Sequence, residues 1–194
     1  MSSAANSQGV RVGVLALQGA YAAHARLLTG LGAQAVAVRS PADLYGLDAL
    51  VLPGGESTSM LRLLERNQLL QPLARAVTQM PVLGTCAGLI LLARQVMPEQ
   101  PSLAAMDISV QRNAYGRQLE SRIVNGQTAL AGGDLEMVFI RAPRITRAGP
   151  GVEVLACYQG DPVLVRQGGV IGCAFHPELG RDERVHGLLL ALLA

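Results

Sequence analysis

The sequence predicts an α/β fold built on a doubly wound, mostly parallel sheet, with an antiparallel addition in its second half. Three observations predict it. Apolar runs alternate with amphipathic stretches through the first half of the 194 residues, the order that yields parallel strands with covering helices. The first run, residues 10–17, is apolar at nearly every position, as a strand buried on both faces requires. Beyond Met106 the pattern changes to short strands punctuated by glycine turns, which is the pattern of hairpins.

Taken in order, residues 20–31 read as a helix, and 34–38 and 49–52 as the second and third strands. Residues 57–66 and 69–79 read as helices, with breaks near Asn67 and Pro72. The run Met80-Pro81-Val82-Leu83 is a fourth strand leading into Gly84-Thr85-Cys86-Ala87-Gly88, and residues 89–94 lead out as a helix. Turns at Asn125-Gly126, Gly132-Gly133-Asp134, Gly149-Pro150-Gly151, Gly160-Asp161-Pro162 and Gly168-Gly169 then separate short strands. Residues 163–166 and 170–174 flank the last turn as a hairpin, and a helix over 183–193 closes the chain. The expected arrangement is flavodoxin-like, with ligands outside the carboxyl ends of the strands. Residues 1–9 are expected to form a disordered tail and 10–194 one domain.

Half the residues are apolar, Trp is absent, and Phe139 and Phe175 are the only phenylalanines, so the core must be aliphatic. A net charge of +2 with interspersed signs argues against nucleic-acid and anionic-membrane surfaces. Cys86, Cys157 and Cys173 lack the spacing of a disulfide framework or a metal site, so neither a metal nor another cofactor is expected. Cys157 and Cys173 read as inert core residues. The small, polar opening segment is unlike a secretory signal, and runs such as 187–194 are too short to span a bilayer. A reducing cytoplasm is the expected compartment.

Cys86 sits where a strand turns into a helix, the geometry that lifts a nucleophile clear of a sheet. The helix N-terminus would favour its thiolate; the bland alternative is a packed core cysteine. A thiolate for acyl transfer needs a base and the base an orienting group. His24 and His186 fall inside predicted helices, whereas His176 follows a strand end and precedes Pro177-Glu178. Glu178 can hold the His176 tautomer, although His-Pro-Glu in isolation also suits a surface turn. The Pro53-Gly54-Gly55-Glu56-Ser57-Thr58 segment ends the third strand. Its glycines allow close backbone approach, Ser57 could cap the next helix, and the N–H groups of Gly55 and Ala87 would suit an oxyanion hole. The same loop also fits a tight connection; it lacks the lysine and spacing of a P-loop.

The Gly84-Thr85-Cys86-Ala87-Gly88, Pro-Gly-Gly-Glu-Ser-Thr and His176-Pro177-Glu178 motifs together resemble the class I, triad-type glutamine amidotransferases. Leu17-Gln18-Gly19, Arg112-Asn113-Ala114-Tyr115-Gly116-Arg117-Gln118 and Ile140-Arg141-Ala142-Pro143 narrow the resemblance to the glutaminase subunits of pyridoxal 5′-phosphate synthase. The resemblance runs from about residue 10 to the C-terminus. It implies Cys86 as nucleophile toward L-glutamine, His176 as base and acid, and Glu178 as its orienting group. It implies substrate contacts from Gly55, Glu56, Ser57, Arg112, Ile140 and Arg141. It further implies a (β/α)8-barrel synthase subunit as partner and recipient of the ammonia, with Gln18 and His24 at the activation interface. One position departs from the pattern: the acidic residue usual before His24 is Ala23. The competing readings are a glutaminase serving another synthase, a cysteine hydrolase on a similar sheet, and a regulatory subunit that has lost its chemistry.

Overall fold

Strand β1 (Arg11–Leu15) pairs in parallel with β2 (Gln34–Val38) on one side and β3 (Ala49–Leu52) on the other. β4 (Val82–Thr85) lies beside β3, and beyond it comes β12 (Val170–Cys173), also parallel. The parallel part of the sheet therefore runs β2-β1-β3-β4-β12, the flavodoxin-like order. The computed structural model describes residues 9–112 and 122–194. Of the expected tail only Gly9 is described, exposed in a turn. Most of the Arg112–Gln118 motif, from Asn113 onward, lies outside the described residues.

Burial explains which strands occupy the centre. Every residue of β3, β4 and β12 is buried, whereas edge strand β2 is exposed at Gln34 and only partly covered over its next three residues. Helices α1 (Tyr21–Gly30), α2 (Ser57–Arg66), α3 (Leu70–Ala76) and α5 (Arg184–Ala191) accompany the sheet. Pro72 sits in the first turn of α3, where its missing N–H has no intrahelical partner to lose. It opens that helix rather than breaking it.

The antiparallel addition is present and takes two forms. β10 (Glu153–Tyr158) and β11 (Asp161–Gln167) extend the main sheet beyond β12, and β11 and β12 form the expected hairpin about Gly168-Gly169. β5 (Ala93–Met97), β6 (Met106–Gln111) and β9 (Arg144–Ala148) make a separate sheet, and β7 (Arg122–Gly126) pairs with β8 (Leu135–Phe139). The helix expected over 89–94 is displaced: α4 covers Ala87–Leu92, and the backbone turns extended at Ala93 to enter β5. A short apolar run does not itself distinguish a buried helix from a buried strand. Pairing of β5 with β6 decides it.

Candidate active site

The carboxyl ends of four neighbouring parallel strands each deliver one part of the site. Cys86 follows β4 with φ 49° and ψ −103°, a conformation that a residue with a side chain holds only where the fold imposes it. Its N–H donates to the Cys173 carbonyl on β12 (2.8 Å), and its carbonyl accepts from Ile90 in α4 (3.2 Å). Close packing of that turn needs Gly88, because a Cβ there would overlap the Leu52 carbonyl oxygen of β3. The strand-to-helix elbow is thus present. The six-residue α4 has the expected length but begins two residues earlier, directly after Cys86.

His176 leaves the end of β12 and is pinned by its N–H, which donates to the Val138 carbonyl (2.8 Å). Pro177 opens a tight 3-10 turn over Pro177–Leu179, which brings Glu178 back beneath the imidazole. The ring Nδ1–H donates to Glu178 Oε1 at 2.8 Å, leaving Nε2 for the thiol. Burial by itself would lower the His176 pKa, but Cys86 and Glu178, both acting on the ring, outweigh it and raise it to about 10. Burial pushes Glu178 the other way; the bond from His176 and the nearness of His24 and His176 hold its carboxyl below the usual range. All three side chains are buried, with His176 only 8% exposed, so water screens the pair weakly.

The glycine loop after β3 closes against this line. A Cβ on Gly54 would run into His176 Cε1 and approach Cys86 Cβ within 3.3 Å, so the absence of a side chain there lets base and nucleophile meet. Gly55 adopts φ 147°. Gln18, beyond the end of β1, donates from Nε2 to the Glu56 carbonyl (2.6 Å) and so grips the loop. The cap of α2 differs from expectation. Glu56, not Ser57, is the N-cap, its carboxylate accepting from the N–H groups of Thr58 (3.0 Å) and Ser59 (2.7 Å). Burial would raise Glu56, yet those donors prevail and lower its pKa to about 2. Ser57 instead donates its hydroxyl to Gln100 Oε1 (3.0 Å).

A cavity of about 290 Å³ opens onto the sulfur, lined by Gly55, Glu56, Ser57, Arg112, Ile140 and Arg141 together with Cys86, His176, Ile90 and Pro143. Its size lies just below the roughly 300–1,000 Å³ typical of small-ligand sites. Every residue expected to contact substrate lines it. Arg112 is steered by Thr58 Oγ1 (3.2 Å) and by Gln100 Oε1, both accepting from Nη1. Arg141 enters with φ 43°. Two arginines in the lining suit a carboxylate, since the planar guanidinium fork matches its two oxygens. Gln100, Ile90 and Pro143 were not singled out from the sequence; Pro143 lies in a motif already noticed, whereas nothing local marks Gln100.

Two expectations need correction. His24 is not at the surface: it is fully buried, with Nε2 3.5 Å from Glu178 Oε2 and Nδ1 2.9 Å from Nε2 of the equally buried His186. Helix α1 faces the sheet with this residue because the 177–179 turn packs over it. Cys157 is exposed on β10 rather than in the core, while Cys173 is buried, its thiol donating to the Phe175 carbonyl (3.3 Å) and its pKa pushed up by burial. Among the described residues, no cluster of three or more His, Cys, Asp or Glu is arranged to hold a metal ion. No described helix is long and apolar enough to cross a membrane.

Residues 14–193 match the model of the SNO glutamine amidotransferase family. The chain belongs to that family. Relatives agree along nearly the whole length. A pyridoxal 5′-phosphate synthase subunit PdxT of Koribacter versatilis is 53% identical over 185 residues, covering 95% of this chain and 96% of the relative. The subunit of the same name from Haemophilus ducreyi is 54% identical over 187 residues, covering 94% and 96%. A crystal structure of a glutamine amidotransferase superposes with a TM-score of 0.87 at 45% identity, covering 94% of this chain and 98% of that one. Membership of the SNO family agrees with the resemblance carried by the elbow, loop and His-Pro-Glu motifs.

Proposed function

We propose that this chain hydrolyses L-glutamine to L-glutamate and ammonia as the glutaminase subunit of a pyridoxal 5′-phosphate synthase. One observation carries the chemistry: Cys86 and His176 line a small cavity that also holds two arginines, and Glu178 backs His176 through its Nδ1. The whole-length likeness to PdxT subunits supports the choice of synthase.

In this reading Arg112 and Arg141 hold the α-carboxylate, which directs the side-chain amide toward Cys86. The sulfur attacks as thiolate, its proton residing on His176. As the S–C bond forms, the carbonyl electron pair moves onto oxygen, where the N–H groups of Gly55 and Ala87 receive it. Collapse breaks the C–N bond, and His176 passes its proton to the departing ammonia. Water then gives a proton to His176 and attacks the thioester, releasing glutamate and restoring the sulfur. Glu178 keeps the Nδ1–H tautomer throughout. The ammonia passes to a (β/α)8-barrel synthase subunit in the cytoplasm, and Gln18, holding the Glu56 carbonyl, couples docking of that subunit to the loop.

The test is release of glutamate and ammonia from L-glutamine by the purified chain, with and without the synthase subunit. Hydrolysis that rises with the partner and vanishes in Cys86→Ala is the expected result. No release in either condition, or loss of activity in Cys157→Ala but not in Cys86→Ala, would overturn it.

A further inference from the structure

All three histidines of the chain form one connected line behind the cysteine, although only His176 reaches the cavity. His176 Nδ1 meets Glu178 Oε1 at 2.8 Å; the second carboxylate oxygen, Oε2, faces His24 Nε2 at 3.5 Å; His24 Nδ1 meets His186 Nε2 at 2.9 Å. His24 comes from α1 and His186 from α5, which lie 162 residues apart in sequence. Both are 0% exposed. Aliphatic side chains would fill this space without burying polar nitrogens, so their presence calls for a reason.

The geometry decides the proton positions. A carboxylate only accepts hydrogen bonds, and Glu178 Oε2 has no hydrogen-bond partner among the described residues, so a hydrogen on the facing His24 nitrogen serves it. The Thr85 hydroxyl, also 3.5 Å from that nitrogen, can accept the same hydrogen or donate to a lone pair there. Nδ1 of His24 is then an acceptor, and His186 must donate to it from Nε2. That leaves His186 Nδ1 bare, and it is the His186 atom that has no hydrogen-bond partner among the described residues. The reverse arrangement would aim a lone pair at Oε2 and strand a buried N–H donor. Donation from His186 through His24 leaves no buried N–H stranded on His186 and offers a hydrogen to Oε2 of the carboxylate that orients the catalytic base, whereas the reverse direction, with Thr85 donating to His24 Nε2, does neither.

We propose that His24, its tautomer held by His186, is a positioning residue that donates to Glu178 Oε2 and so holds the carboxylate in line with His176. The proposal rests on the glutaminase reading above. The 3.5 Å separation is long for a hydrogen bond; catalytic contacts of an unliganded enzyme commonly tighten when substrate is bound. Burial of both rings, which lowers His24 to about 4 and His186 to about 3, keeps the pair neutral at physiological pH. The titratable groups around Glu178 are His176 on its own turn, His24 on α1, His186 on α5, Cys86 after β4 and Cys173 on β12.

His24→Leu in complex with the synthase subunit is expected to lower kcat about tenfold, a part of the roughly 10²–10⁴-fold that general acid–base catalysis supplies. KM should stay within about twofold, and the acid limb of kcat/KM should move to higher pH, because a carboxylate that loses a donor holds its proton more tightly. His24→Gln, whose amide N–H can reach Oε2, should recover most of kcat. Nitrogen-15 NMR of the histidine rings in the unmodified chain should show neutral Nε2–H tautomers for His24 and His186. An Nδ1–H tautomer at His24 would overturn the proposal, as would an unchanged kcat and pH profile in His24→Leu. So would equal losses of kcat and melting temperature in the Leu and Gln variants, the mark of a packing role. Should His24→Leu fail to fold, His24→Gln and the NMR tautomers decide the matter. The NMR result does not depend on turnover, so an inactive unmodified complex would count against the glutaminase reading alone.

Discussion

Gly54→Ala adds a single methyl group at the point where base and nucleophile meet. The new Cβ would run into His176 Cε1 and lie 3.0 Å from Nδ1 and 3.3 Å from Cys86 Cβ. Gly54 is outside the left-handed region of backbone space, so the effect comes from contact and not from backbone strain. His176 cannot retreat as a whole, because its N–H is tied to the Val138 carbonyl. The ring must rotate, and rotation breaks its 2.8 Å bond to Glu178. A hydrogen bond to a charged group contributes about 1.5–3 kcal/mol. At about 1.4 kcal/mol per decade of rate, that loss lowers kcat/KM roughly 10- to 150-fold. The assay is steady-state glutamate release in the synthase complex, alongside the rate of Cys86 alkylation by iodoacetamide and the melting temperature. Both rates should fall while the melting temperature changes little. A variant within twofold of the parent in kcat/KM, with the same alkylation rate, would refute the steric argument.

Two further outcomes follow from the ionisation and capping of the site. Glu56→Ala removes the α2 N-cap and should cost about 1 kcal/mol, a fall of roughly 2–4 °C in melting temperature for a domain of this size. Because the Glu56 pKa is depressed to about 2, that deficit should be complete above about pH 4.5 and disappear as pH falls through about 2, as thermal melts across this range would register. His176 runs the opposite way. Its pKa is raised to about 10, so the stability it supplies is full below about pH 6.5 and lost as pH rises through about 10. Melting temperatures from pH 6 to 10 should decline accordingly, and in Glu178→Gln, where the folded pKa is lower, the decline should be smaller and end at lower pH.

Much of the architecture was legible along the chain. Residues 34–38, 49–52 and 57–66 form the elements that their local patterns predict, because a strand buried on both faces and an amphipathic helix each carry their period in the sequence. The loops that end β3, β4 and β12 were legible for the same reason, and in a doubly wound sheet they converge on one edge. Where the chain failed to disclose its structure, the missing information was tertiary. The helix after Cys86 stops at Leu92 because β6 offers a pairing edge to residues 93–97, and an apolar run fits either state.

The sequence by itself pointed to Cys86, His176, the glycine loop, Arg112, Ile140 and Arg141, because each lies at a strand end or in a recognisable motif. It did not determine what stands behind them. His24 and His186 each occupy a helix and carry no local sign of burial; only packing of α1 against the 177–179 turn, and of His186 from α5 against His24, makes them a buried pair behind Glu178. Gln100 likewise becomes the anchor of Ser57 and Arg112 only once the loop between β5 and β6 lies across the start of α2. Covalent neighbours set conformation and period, so they can be read in order. Burial, proton positions and the company of a carboxylate depend on segments far away in sequence, and those the folded structure alone decides.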